Sequence, residues 1–116
     1  MDLLLVAIII AINSLQFSSD KLVEKNMTVT AYSTNCPIQR TGNRTASGTN
    51  ASKVQGIAVD PKVIPLGTNV LIDGKWYLAD DTGGKINGNR IDIRLNTRDE
   101  CIQFGVQKKT VYYWRK

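Results

Sequence analysis

The chain has 116 residues, 42% of them hydrophobic, which is enough for one small domain with a real core. Its 15 Lys+Arg against 10 Asp+Glu give a net charge of +5, so polyanionic partners are favoured. There is no histidine, which excludes Ser-His-Asp and Cys-His catalysis and every zinc site that needs a histidine.

Leu3 to Ile12 is an unbroken apolar run followed by the mostly polar stretch Asn13–Ser19. As a helix it would be about 15 Å long, half a bilayer's hydrocarbon thickness. Residues 1–19 therefore read as a secretory signal or a short membrane anchor held by 3–17. Two details run against a standard signal: Asp2 replaces the usual opening positive charge, and Lys21 and Lys25 follow the segment. An exported protein, secreted or associated with the cell envelope, is the expectation. Cys36 and Cys101 suit that compartment either as a disulfide or as two separate thiols. A bridge would close a loop of about 65 residues and stabilise by about 4 kcal/mol in the chain-entropy model.

Residues 20–26 read as a polar linker, and 27–116 as the folded domain. Met27–Tyr32 alternates, with Val29 and Ala31 on one face and Thr28, Thr30 and Tyr32 on the other. Thr34–Lys53 is a long Thr/Asn/Gly/Ser-rich loop, a length that usually signals function. Gly56–Val59 is a short apolar strand, and Asp60-Pro61 caps a helical turn. Asn69–Ile72 and Lys75–Asp80 are strands joined at Asp73-Gly74, a tight hairpin signal.

The segment Gly83 to Gly88 is glycine-rich, implying positive φ or close approach to a ligand. In Ile91–Leu95 the isoleucines and Leu95 take the core face, so Asp92 and Arg94 must point the other way. Thr97-Arg98-Asp99-Glu100 matches a capping box opening a helix that ends at Phe104-Gly105. Lys109–Trp114 is the last strand. The tally is an all-β domain with one or two short helices. Lys and Arg are scattered rather than gathered in a stripe, so no nucleic-acid partner is expected.

At Ala58-Val-Asp-Pro, Ile64-Pro-Leu-Gly-Thr, Asp81-Thr-Gly-Gly-Lys-Ile-Asn-Gly-Asn-Arg-Ile-Asp-Ile and Phe104-Gly105 the chain closely resembles the three-aspartate (3D) domain. That family is related to the catalytic barrel of membrane-bound lytic transglycosylase A. The resemblance runs from about Thr28 to Tyr113 and includes Ala31-Tyr32-Ser33 and Thr45-Ala46-Ser47-Gly48. It implies a six-stranded double-psi β-barrel with an open cleft and peptidoglycan glycan strands as substrate; a monomer without cofactor or metal is the expectation.

The three aspartates of the family name fall on Asp60, Asp81 and Asp92. The family's catalytic acid/base falls on Asp92, with Asp81 beside it. Asp60, Thr45, Thr82, Gly83, Gly84 and Tyr32 are candidate substrate-binding or supporting positions. Arg94 departs from the pattern, standing where relatives often carry an apolar residue; Cys101 stands where they often carry Ala.

A lytic transglycosylase needs only one carboxyl, because the sugar's own 6-hydroxyl is the nucleophile. That carboxyl must hold a proton near neutral pH, and Asp81 is expected to raise the Asp92 pKa by like-charge repulsion, aided by burial. The rival expectation is a non-catalytic glycan-binding or wall-loosening module using the same cleft. An inverting hydrolase using Asp81 and Asp92 together, and a carboxylate-rich cation site, are further alternatives.

Overall fold

A computed structural model describes residues 20–33, 44–51 and 54–115. The apolar leader and Cys36 lie outside these residues, and with Cys36 any pairing to Cys101. Among the described residues no helix is long and apolar enough to cross a membrane.

Strands β1 (Lys21–Ser33), β2 (Gly56–Val59), β3 (Asn69–Ile72), β4 (Lys75–Asp81), β5 (Arg90–Leu95) and β6 (Gln107–Arg115) close into a six-stranded barrel. A single short helix among the described residues, α1 (Arg98–Phe104), joins β5 to β6. The order around the barrel is β1-β5-β2-β4-β3-β6. Pairs β1/β5 and β2/β4 are parallel, and the remaining neighbours are antiparallel. This is the mixed, closed barrel the family resemblance implies, and closure leaves no open sheet edge.

Alternation fills the interior. Met27 and Val29, Ile57 and Val59, Val70 and Ile72, Ile91 and Ile93, Val111 and Tyr113 come from successive inward positions and are all buried in one cluster. Each fully buried aliphatic side chain contributes about 1.5–3 kcal/mol. Ile64 completes the cluster from the turn after β2.

Local signals explain the connections. Asp73 and Gly74 take φ 50 and 81 between β3 and β4, the paired positive values of a two-residue hairpin turn. The Thr97 hydroxyl accepts the Glu100 N–H at 3.2 Å at the start of α1, and Gly105 ends it at φ 63.

Residues 21–26 differ from expectation: they are the first half of β1, not a linker. They pair with Val111, Thr110 and the rest of β6 out to Arg115. Polar side chains were compatible with this because the ribbon has a wet face. Thr110 Oγ1 donates to Asn26 Oδ1 at 2.8 Å across it, while Val23 packs against the core. Composition reported the wet face; the backbone pairing was invisible to it.

Candidate active site

The outward residues of β5 and its neighbours form a compact patch. Thr30 of β1 lies opposite Asp92 and Tyr32 lies opposite Arg94. On the other flank Ala58 of β2 lies opposite Asp92, and beyond it Asp81 of β4 lies opposite Ala58. Asp92 and Asp81 thus sit one strand to either side of a single small side chain. The β2/β4 register slips between Ile57 and Ala58, whose partners are Ala79 and Asp81. Asp80 is the extra residue of that bulge, and a bulge re-aims the side chains around it. Without it, strand alternation would turn Asp81 inward beside the buried Ala79.

Asp92 is half-buried, and Thr30 Oγ1 donates to its Oδ1 at 2.7 Å. Burial pushes the Asp92 carboxyl above its ordinary value; the Thr30 hydrogen bond and the charge of Arg90 oppose this without cancelling it. The group therefore keeps its proton to higher pH than an ordinary aspartate. Burial, not repulsion from Asp81, supplies the shift: two strand spacings hold the two backbones roughly 10 Å apart.

Asp81 is anchored on both oxygens. Oδ1 accepts the N–H groups of Ala46 and Thr82, each at 3.0 Å. Oδ2 accepts the Tyr32 hydroxyl at 3.2 Å. Burial pushes the Tyr32 phenol well up, so it stays a donor. Its oxygen in turn accepts Arg94 Nη1 at 3.1 Å.

Asp60 has a different task. Its Oδ1 accepts the Lys62 N–H at 3.0 Å and its Oδ2 the Gly88 N–H at 2.8 Å. Its carbonyl takes the N–H groups of Val63 and Ile64. The two bonds to its carboxylate, that from Gly88 foremost and then that from Lys62, lower its pKa. Asp60 ties the turn after β2 to the glycine-rich loop, where Gly88 adopts φ 68. Asp60 shares no hydrogen-bond partner with Asp81 or Asp92 in the bonds described above, and among the described residues no group of three Asp, Glu, Cys or His could hold a metal ion.

The family model for the 3D domain matches residues 55–115, a span that holds all three aspartates. This chain belongs to the 3D domain family. It is 35% identical over 98 residues to the cell wall-binding protein YocH of Bacillus subtilis, covering 81% of this chain and 34% of YocH. The 3D domain chain spans 23% to 36% of the length of the curated relatives it matches. Among solved structures it resembles the lytic transglycosylase LtgG of Burkholderia pseudomallei, with TM-score 0.54 and 26% identity over 64% of this chain and 27% of that one. It also resembles MltA of Escherichia coli, at TM-score 0.53 and 21% identity over 70% and 30% of the two chains, a likeness of fold.

The remaining candidates of the 3D domain divide. Tyr32 touches Asp81, and Thr82 touches it through its backbone. Thr45 does not: its hydroxyl bonds Thr49 Oγ1 at 2.6 Å and accepts the Thr49 N–H at 3.1 Å, folding the 44–51 segment on itself. Gly83 and Gly84 are exposed and offer their carbonyls to Ile86 N–H and Asn87 Nδ2. Neither takes a positive φ.

Sequence reasoning missed three participants. Thr30 was legible as an outward residue of its strand, but its register against Asp92 was not. Asp80 is hidden by the bulge. Gly56 reads as an ordinary strand residue, yet a Cβ there would overlap the side chains of Arg94 and Asp80.

Proposed function

We propose that this 3D domain is a peptidoglycan lytic transglycosylase that cleaves the MurNAc–GlcNAc bond with Asp92 as its single acid/base. The observation that carries the reading is Asp92 itself: an outward, half-buried carboxyl, biased by burial to hold a proton and oriented by Thr30 at 2.7 Å. The protonated carboxyl donates to the departing glycosidic oxygen as the C1–O bond breaks. The MurNAc 6-hydroxyl attacks C1 and gives its proton to the Asp92 carboxylate, leaving a 1,6-anhydro end and a restored acid. The cationic character that develops at C1 lies within the field of the Asp81 carboxylate, held in place by three donors.

Because the substrate's own hydroxyl is the nucleophile, this route needs one carboxyl where a retaining or inverting hydrolase needs two. Family membership and the fold likeness to LtgG and MltA support the same substrate class. The site of action is outside the cytoplasm, at the wall, reached through the apolar leader, where the net positive charge favours anionic wall polymers.

The similarity to YocH, named for wall binding, supports a second reading: a glycan-binding module without turnover. Digesting purified peptidoglycan and resolving the products by mass spectrometry separates the two. Release of 1,6-anhydro-muropeptides, lost in Asp92→Asn, is expected. Glycan retained with no such product would establish the binding module, and new reducing ends would establish a hydrolase.

A further inference from the structure

Arg94 and Asp80 form an ion pair that lies outside the barrel core yet is shielded from water. Arg94 Nη2 meets Asp80 Oδ2 at 2.8 Å and Nη1 meets Oδ1 at 3.1 Å. The two side chains are only 4% and 0% exposed. The 44–51 segment provides the cover: Thr49 Oγ1 donates to Asp80 Oδ2 at 2.8 Å, and the Ser47 N–H donates to the Asp80 carbonyl at 3.0 Å. Gly56 supplies the space beneath.

The guanidinium serves more than Asp80. Nη2 also donates to the Val54 carbonyl at 2.8 Å, and Nη1 to the Tyr32 hydroxyl at 3.1 Å. All four terminal N–H bonds are thus in use, in the flat fork that only arginine offers. From Tyr32 the chain continues to Asp81 Oδ2, while Ala46 of the covering segment reaches Asp81 Oδ1. The segment is therefore fastened to two successive aspartates of β4, one bonded to Arg94 directly and the other through Tyr32. A buried ion pair is a poor source of stability, often matched by apolar residues of similar volume. Its worth lies in direction.

We propose that the Asp80–Arg94 pair is a positioning device for the cleft. It pins the 44–51 segment as a wall beside Asp81 and, through the Tyr32 hydroxyl, sets the direction in which the Asp81 carboxylate faces the glycan. Arg94 and Tyr32 are positioning residues that act through Asp81. The second half of this inference rests on the transglycosylase reading, and the first half stands without it.

Trypsin tests the pin without any activity. In the full chain, Arg94→Lys keeps the charge but loses the fork, and cleavage after Arg44 is expected to accelerate about tenfold as the segment opens locally. Cleavage after Lys75 and Arg90, within the barrel strands, should stay at the wild-type rate. An unchanged rate after Arg44, or acceleration at all three sites together, overturns the pin. Tyr32→Phe tests the direction of Asp81: kcat for anhydro-muropeptide release should fall about tenfold with KM within about twofold. A wild-type kcat in Tyr32→Phe overturns that half. Absence of product from the wild type would remove the transglycosylase reading, leaving the trypsin result to decide the pin.

Discussion

Replacing Gly56 by alanine adds one methyl group where the molecule has no space for it. Gly56 does not hold a positive φ, so the backbone accepts alanine and the obstacle is purely steric. The new Cβ would overlap Arg94 Nη2 and both carboxylate oxygens of Asp80, with Oδ2 only 2.6 Å away. These atoms are the middle of a buried ion pair, and relief requires the pair to open or β2 to move. Overpacking alone costs about 1–3 kcal/mol, and losing one side of a buried pair about 3–5 kcal/mol. A net loss of about 3 kcal/mol is expected, a large share of the roughly 5–15 kcal/mol that holds a small domain together.

For a domain of this size that lowers Tm by roughly 12–24 °C, read by circular dichroism on the full chain. Gly84→Ala is the control, with nothing within 4 Å of its Cβ and no positive φ; it should stay within about 0.5 kcal/mol of wild type. If the clash acts through the pair, Gly56→Ala and Arg94→Met will also be non-additive. A Gly56→Ala protein melting within about 4 °C of wild type would refute the reasoning.

Three further outcomes follow from the aspartates. Asp92→Asn should lower anhydro-product release by at least about 10²-fold without lowering Tm at pH 8, because ionising a carboxyl whose pKa burial has raised costs stability as pH rises past it; a lower Tm would assign Asp92 a structural role. Thr30→Val removes a hydrogen bond that favours the charged form of Asp92, so the alkaline limb of kcat/KM should move to higher pH; a limb moving downward would contradict the assignment of the acid. Asp60 titrates below its ordinary 3.8, so its stabilising contribution is present above that value and lost as pH falls through the lowered one. The Tm gap between wild type and Asp60→Ala should therefore be open at pH 7 and narrow below pH 3.8, and a gap that ignores pH would remove the carboxylate from the account.

Much of the barrel is legible along the chain because its signals are local. Strand alternation at Ile91–Leu95 places the isoleucines inward and turns Asp92 and Arg94 outward. Asp73-Gly74 and Thr97–Glu100 carry their own turn and cap chemistry. Asp60 was readable as a cap for the same reason: one of its carboxylate bonds reaches only two residues along the chain.

What the tertiary structure alone decided depends on register between strands far apart in sequence. Asp92 meets Thr30 across 62 residues, and Asp80 meets Arg94 across the barrel face, pairings that no local pattern encodes. The bulge at Asp80 turns two successive aspartates toward the same face, against the strand period of two. Strand β2, lying between the expected charge partners, separates them and leaves burial rather than Asp81 to raise the Asp92 pKa. Side-chain direction follows from the period of one strand, whereas the neighbours that tune a carboxyl follow from how several strands are staggered against each other.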